Sequence, residues 1–338
     1  MKKEAALFLC LALAAPACRQ RGPNQPDSGA AATKQSDATA TPKASTPIAP
    51  YAPKDRTKPT LFPARMNGKY GFIDKTGKTV IEARFQRALE FSEGLAAVED
   101  AKGQWGYIDS TGNLAIKPLF TAALPFSEGL ASVRMGDKFG CINKAGEIVI
   151  PAKFAGIGPF NEGLAETLVE QTVQGMAVRG WGFIKTDALF PIVPQYDAIG
   201  PFGEGVAPVR IFGKKWGFID KDRKIIIQPV YEAAFQFSEG LAAVQATYED
   251  QYKWGFINHD GKYVIQPRFG VARTFSEGLV GVRVMDGNKW GFVNKSGTYV
   301  IKPLYDDVGQ FHNGIALVKL GPKECYIDTT GKTIWQEK

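Results

Sequence analysis

One short pattern, WGFID, recurs eight times and decides most of what this chain can become. It reads YGFID (70–74), WGYID (105–109), FGCIN (139–143), WGFIK (181–185), WGFID (216–220), WGFIN (254–258), WGFVN (290–294) and ECYID (324–328). A second block alternates with it: FSEGLAAV (91–98), FSEGLASV (126–133), FNEGLAET (160–167), FGEGVAPV (202–209), FSEGLAAV (237–244), FSEGLVGV (275–282) and FHNGIALV (311–318). Self-similarity at a step of 34 to 42 residues is the mark of a repeat architecture, in which each unit needs its neighbours to bury its apolar face.

The spacing inside a unit is fixed. From the Trp position to the aromatic that closes the next apolar run is always 15 residues, as in Trp105–Phe120 and Trp290–Tyr305, and from that aromatic to the Phe of FSEG is always six. All variation in length falls between that Phe and the next Trp position, from 13 to 21 residues. One connection on one edge therefore tolerates insertion. The runs LAAV, WGFID and TVI are strand-length and are separated by turn residues such as KTGK (75–78), so each unit reads as an antiparallel sheet of three short strands. The Asp or Asn closing WGFID is placed to bond the turn ahead. Pro118, Pro194, Pro229, Pro267 and Pro303 are expected to stop the third strand, and the stretch from there to FSEG is a short fourth strand or a loop.

These blocks resemble the bacterial WG repeat, also called KWG, over residues 61–338. The resemblance implies a repeat fold and no particular activity. The expected fold class is all-β: an eight-unit antiparallel array, propeller-like, with an open β-solenoid or superhelix as the alternative. Both ends of the array are in phase, so no blade is expected to be split between the termini. In WGFID the Trp and Phe point one way and Gly and Ile the other. A neighbour's aromatic face is expected to fill the gap left beside Gly.

Trp105, Trp181, Trp216, Trp254 and Trp290, with Gly106, Gly182, Gly217, Gly255 and Gly291, are read as structural repeat positions, in preference to stacking platforms for sugars. The FSEG glutamates Glu93, Glu128, Glu162, Glu204, Glu239 and Glu277 recur in equivalent surroundings, which suits a turn role better than a catalytic pair, since acid–base pairs need unlike environments. His259 and His312 replace turn residues and have no matching nucleophile. In the most divergent unit, Glu166, Glu170 and Arg179 form no recognisable site for an envelope hydrolase or lyase. No catalytic residue, metal or cofactor is assigned. Cations follow the LAAV strand at Arg65, Arg134, Arg210, Arg283 and Lys319, and are expected to line one rim beside the variable connections. Cys141 and Cys325 read as buried thiols, with a disulfide open to an exported protein.

The N-terminus supplies an address. Lys2 and Lys3 precede an apolar run from Ala5 to Ala15, the length of a signal peptide and too short to span a bilayer. Ala15, Pro16 and Ala17 then lead to Cys18, which resembles a bacterial lipobox; the resemblance implies removal of residues 1–17, lipidation of Cys18 and, with Arg19 following, the outer membrane. Periplasmic or secreted export is the alternative. Residues 18–58, rich in Ala, Pro, Ser and Thr, read as a disordered tether ahead of a repeat domain at 59–338. The formal charge of +7 is scattered along the chain, which points away from nucleic acid. The expectation is a non-catalytic envelope scaffold binding a protein, peptide or envelope glycan, with a carbohydrate-binding repeat as the alternative.

Overall fold

The computed structural model describes residues 60–337 apart from 174–175, 212 and 286. The signal segment, Cys18 and the tether lie outside the described residues. Eight antiparallel sheets follow one another along the chain, with no helix among the described residues. Blade 1 has three strands, β1 (Leu61–Met66), β2 (Lys69–Asp74) and β3 (Thr79–Phe85). Blade 2 has four: β4 (Arg87–Ser92), β5 (Leu95–Glu99), β6 (Trp105–Ile108) and β7 (Leu114–Phe120), hydrogen-bonded in that order. Blades 3 to 8 repeat this plan and end at Gln336. The fourth strand is real but only two residues long in those six blades, as at Ala122–Ala123 and Asp307–Val308. That is how a step near 36 residues accommodates a four-stranded blade.

The fixed spacings are pairing registers. Trp105 stands opposite Phe120 and Trp290 opposite Tyr305, with two extra residues on the outer strand before the next pair, Tyr107 and Ile116 or Phe292 and Ile301. This bulge corrects two expectations. The outer strand runs through its proline to the closing aromatic, because Pro118 sits inside the bulge where no ladder hydrogen bond is required of it. The glycine's empty side is filled by its own blade and not by a neighbour. A Cβ on Gly106 would lie 2.6 Å from the Ile116 carbonyl oxygen and 2.7 Å from the Pro118 nitrogen. Gly182, Gly217, Gly255 and Gly291 meet the same carbonyl and nitrogen of their own outer strands at 2.6 to 2.8 Å.

Blades pack face to face through Phe and aliphatic side chains. Each of eight apolar clusters joins two consecutive blades. The WGFID aromatic of one blade meets the FSEG Phe of the next, tilted or edge-on, at 4.7 to 5.1 Å: Phe72–Phe91, Tyr107–Phe126, Phe183–Phe202, Phe218–Phe237, Phe256–Phe275 and Phe292–Phe311. Cys141 takes the aromatic place in blade 3 and packs in one cluster with Phe160. Cys141 and Cys325 are both buried free thiols.

The eighth interface closes the ring. Phe62, Ala64 and Ile73 of blade 1 share a cluster with Ile315 and Tyr326 of blade 8. The Tyr326 hydroxyl donates to the Pro63 carbonyl at 2.9 Å, and its ring lies 5.6 Å from Phe62. In-phase ends thus make an eight-bladed β-propeller whose last blade packs on its first, instead of the open superhelix.

Candidate binding face

The two ends of the propeller are built from different material. At one end the same two turns recur in most units. The Asp or Asn after WGFI accepts the N–H groups two and four residues on; Asp109 takes Thr111 at 2.9 Å and Asn113 at 3.1 Å. The hydroxyl of Thr111 donates to the same carboxylate and, with these amides, holds Asp109 below the usual carboxylate range despite some desolvation. The FSEG block makes the second turn. Its Glu and Gly both have positive φ, as at Glu128 (53°) and Gly129 (82°), the arrangement of a two-residue type I′ hairpin.

Glutamate is unusual in that conformation, and a contact between blades accounts for it. Glu93 accepts the Gly129 N–H at 3.1 Å, Glu128 that of Gly163 at 2.9 Å, Glu162 that of Gly205 at 3.1 Å, Glu204 that of Gly240 at 2.9 Å, Glu239 that of Gly278 at 3.0 Å and Glu277 that of Gly314 at 2.9 Å. Serines before these glutamates reinforce the chain; Ser92 donates to the Phe126 carbonyl at 2.6 Å and Ser276 to that of Phe311. Successive turns can touch only near the axis, so this is the inner ring. Among the described residues blade 1 has no such turn, and the ring of turns has seven members inside eight blades. His312 of blade 8 and Glu90 of blade 2, 4.0 Å apart, face each other across the missing place. Neighbouring turns add partners at the carboxylates: the ammonium groups of Lys144 at Glu93, Lys221 at Glu162 and Lys295 at Glu239 at 3.1 to 3.3 Å, and the imidazole of His259 at Glu204 at 2.8 Å. Glu128→Ala removes the bond to Gly163 and leaves an alanine at positive φ; urea titration should show a loss of about 1–2 kcal/mol. Glu128→Gly, which relieves the backbone, should lose less.

The opposite end carries all the length variation, because there the LAAV strand returns as WGFID. In blade 4 the hairpin Leu164–Val173 with Met176–Lys185 has ten residues in each arm. In blade 6, Ala242–Tyr248 with Gln251–Ile257 has seven, and its Tyr248 and Tyr252 are exposed. Blade 5 between them is short, with Val206–Arg210 leading to Trp216–Asp220.

The row of cations lies on this face in five of the eight blades, each in register with the Trp position, and is interrupted by Glu99, Leu168 and Gln245 in blades 2, 4 and 6. Arg65 is opposite Tyr70, Arg134 opposite Phe139, Arg210 opposite Trp216, Arg283 opposite Trp290 and Lys319 opposite Glu324. Their charges are partly engaged: Arg210 binds Asp197 at 3.0 Å, Arg65 approaches Glu337 at 3.6 Å across the closing seam, and Arg134 approaches Asp137 at 3.7 Å. The buried Nε atoms of Arg134 and Arg283 have no partner. Trp105, Trp254 and Trp290 are 7–8% exposed, while Trp181 and Trp216 are half-buried. Long side chains cover several of these rings. Arg87 lies over Trp105 at 5.3 Å, Arg273 over Trp290 at 4.9 Å and Arg210 over Trp216 at 5.9 Å, while Phe235 stacks on Trp254 at 5.0 Å. Arg87 comes from the inner strand of blade 2 and Arg273 directly follows that of blade 7, segments with no repeat signature in the sequence.

The unlike residues of blade 4 do not converge. Arg179 and Glu170 form a cross-strand pair at 3.1 Å. Glu166 sits apart, opposite Phe183, with its carboxyl group packed over Gly158 of the inner strand. Its Oε2 is buried without a partner, and burial pushes the carboxyl up to about 7. The described residues contain no cluster of three or more His, Cys, Asp or Glu that could hold a metal ion.

A profile of the WG containing repeat matches residues 70–101, 105–139, 139–169, 181–216, 216–246, 254–289 and 290–323. No curated protein sequence matches the chain. Among solved structures, the computationally designed Ika8 protein is similar, with a TM-score of 0.51 and 10% identity over 82% of this chain and 90% of that one. A structure titled as the eukaryotic initiation factor gives a TM-score of 0.50 and 14% identity over 83% and 85%. Both likenesses concern the fold alone. With seven matched units spanning most of its length and an eighth completing the ring, the chain belongs to the WG containing repeat family.

Proposed function

We propose that this propeller is a non-catalytic binding scaffold of the cell envelope, held through a lipid on Cys18 and offering its variable face to a protein, peptide or envelope polymer. The observation that carries this reading is the division of labour between the ends. One end repeats the same turns and latches from blade to blade; every difference in length, the two long hairpins and the row of cations gather at the other. Binding surfaces on repeat folds are made from such variable connections on a rigid frame. A sugar-binding role resting on the tryptophans is less well supported, since buried indoles roofed by Arg87 or Arg273 offer no bare face. An enzyme role would need unlike polar groups brought together, and the ion pair of Glu170 with Arg179 stands apart from Glu166.

Capture from envelope extracts tests the reading. The wild-type chain should retain a partner that is lost when Arg134, Arg210 and Arg283 are changed to Glu. It should also be lost when the ten-residue arms of the blade 4 hairpin are cut back to the six of blade 3. Thermal melting of each variant serves as the control for folding. Equal capture by all three forms would remove the variable face from the account. Acylation of Cys18 is read separately, by mass spectrometry of the N-terminal peptide; an unmodified chain beginning elsewhere would refute the anchor.

A further inference from the structure

The outer strands carry a second surface that neither the repeat latches nor the variable face uses. They form the perimeter of the ring, and apart from a buried Ile and the closing aromatic most of their side chains are exposed or half-exposed. Edge strands are usually guarded by charge and kept poor in exposed apolar side chains. Here large aliphatic side chains stand exposed in most blades, Leu114, Leu119, Ile148, Val149 and Val300 among them. The charges between them are nearly all positive. The eight outer strands hold five cations, Arg84, Lys117, Lys153, Arg268 and Lys302, against one acid, Glu82. Residues 60–338 carry 32 Lys and Arg against 30 Asp and Glu, so the perimeter's excess of four exceeds the excess of two for the whole domain. The rest of the ring is therefore slightly acidic.

A plane laid against such a ring touches two neighbouring blades, and blades 2 and 3 fit it best. Leu114, Leu119, Ile148 and Val149 there are 55%, 67%, 59% and 40% exposed. Lys117 and Lys153 lie among them and form no ion pair among the described residues. The nearby acid Glu147 is occupied by the Asn143 amide at 2.8 Å. Large aliphatic side chains interleaved with unpaired lysines match the chemistry of an anionic lipid surface, where the former enter the acyl boundary and the latter meet headgroup phosphates.

We propose that the outer edge of blades 2 and 3 docks on anionic lipid, standing the propeller on its rim. In that pose both ends of the ring, including the variable face, stay open to solvent. The proposal stands apart from the scaffold reading, since the rim would dock whatever the variable face binds. It also does not depend on acylation.

The test uses the full chain with Cys10→Ser and Cys18→Ser, bearing Ile148→Cys labelled with an environment-sensitive dye. Val300→Cys on blade 7 serves as the control position, and Cys141 and Cys325 are buried. Vesicles of equimolar phosphatidylglycerol and phosphatidylcholine should shift the dye at residue 148 to the blue and leave the dye at residue 300 unchanged. Lys117→Glu with Lys153→Glu should weaken the vesicle titration at least about tenfold, as loss of two surface lysines implies. No shift at residue 148, an equal shift at residue 300, or an equal response to phosphatidylcholine alone would each overturn it.

Discussion

Gly106→Ala is expected to destabilise the propeller by about 3 kcal/mol, among the largest effects any single methyl group could have here. The added carbon would meet the backbone of the outer strand, with the Ile116 carbonyl oxygen at 2.6 Å and the Pro118 nitrogen at 2.7 Å, and no flexible side chain stands there to yield. Relief requires opening the bulge, which moves Phe120 away from Trp105 and loosens the cluster shared with blade 3. Gly129→Ala is the matched control. Its Cβ meets nothing within 4 Å, and its φ of 82° costs about 1–2 kcal/mol on its own. Urea denaturation of both variants checks the difference. Equal losses would mean that backbone freedom, and not the close approach of the bulge, explains the glycine after each Trp.

Glu166→Gln is expected to stabilise the protein, by up to about 3 kcal/mol above pH 7 and hardly at all near pH 4. The sign follows from the direction of the shift. Burial raises the Glu166 carboxyl to about 7, so between its unfolded value and 7 the folded chain binds the extra proton. Stability contributed by the neutral acid is complete below the unfolded pKa and falls as pH rises through that window. Glutamine stays neutral throughout and removes the slope. Denaturation measured from pH 4 to pH 8 should show the wild type losing stability relative to the variant across that range. A constant difference would place the carboxyl in water.

Glu166 also exposes a rule that sequence reading passed over. The residue just past each two-residue inner strand and the second-strand residue whose carbonyl it binds trade volume: Leu124 with Ser132, Gly158 with Glu166, Gly200 with Pro208, Phe235 with Ala243, Arg273 with Gly281 and Gly309 with Leu317. In each pair one member is small and the other large, which keeps the space between blades constant. The letters were present in the chain, but the pairing was invisible until a two-residue strand fixed the register. Pairs such as Ala122–Ala123 and Gly156–Ile157 carry no period for a pattern to reveal.

The same physics separates what the chain announces from what it hides. Strand-length runs, Asx turns and the edge of insertion are local, so a repeated alphabet displays them in nearly every unit. Proline usually ends a ladder, so the sequence signals a stop at the outer-strand bulge, and only the register Trp105–Phe120 shows the strand continuing. The inter-blade latch was half legible. A turn role for Glu128 followed from its place before Gly129, but its bond to Gly163 joins residues 35 apart. The row Arg65, Arg134, Arg210, Arg283 and Lys319 could be placed on one face by phase alone; Arg87 and Arg273, which cover Trp105 and Trp290, could not. Ring closure is the extreme case. It rests on Tyr326 meeting Pro63 across 263 residues, and a repeat with in-phase ends fits an open array equally well until that contact is made.

Tyr326→Ala therefore tests the closed propeller most directly. The side chain is buried, donates to Pro63 at 2.9 Å and packs 5.6 Å from Phe62. Hydrogen exchange read by mass spectrometry should show blade 1, from Leu61 to Asp74, losing protection together with blade 8, while blades 3 to 5 keep theirs. Loss of protection confined to residues 290–337, with blade 1 unchanged, would mean that the first and last units do not touch and that the eight units form an open array.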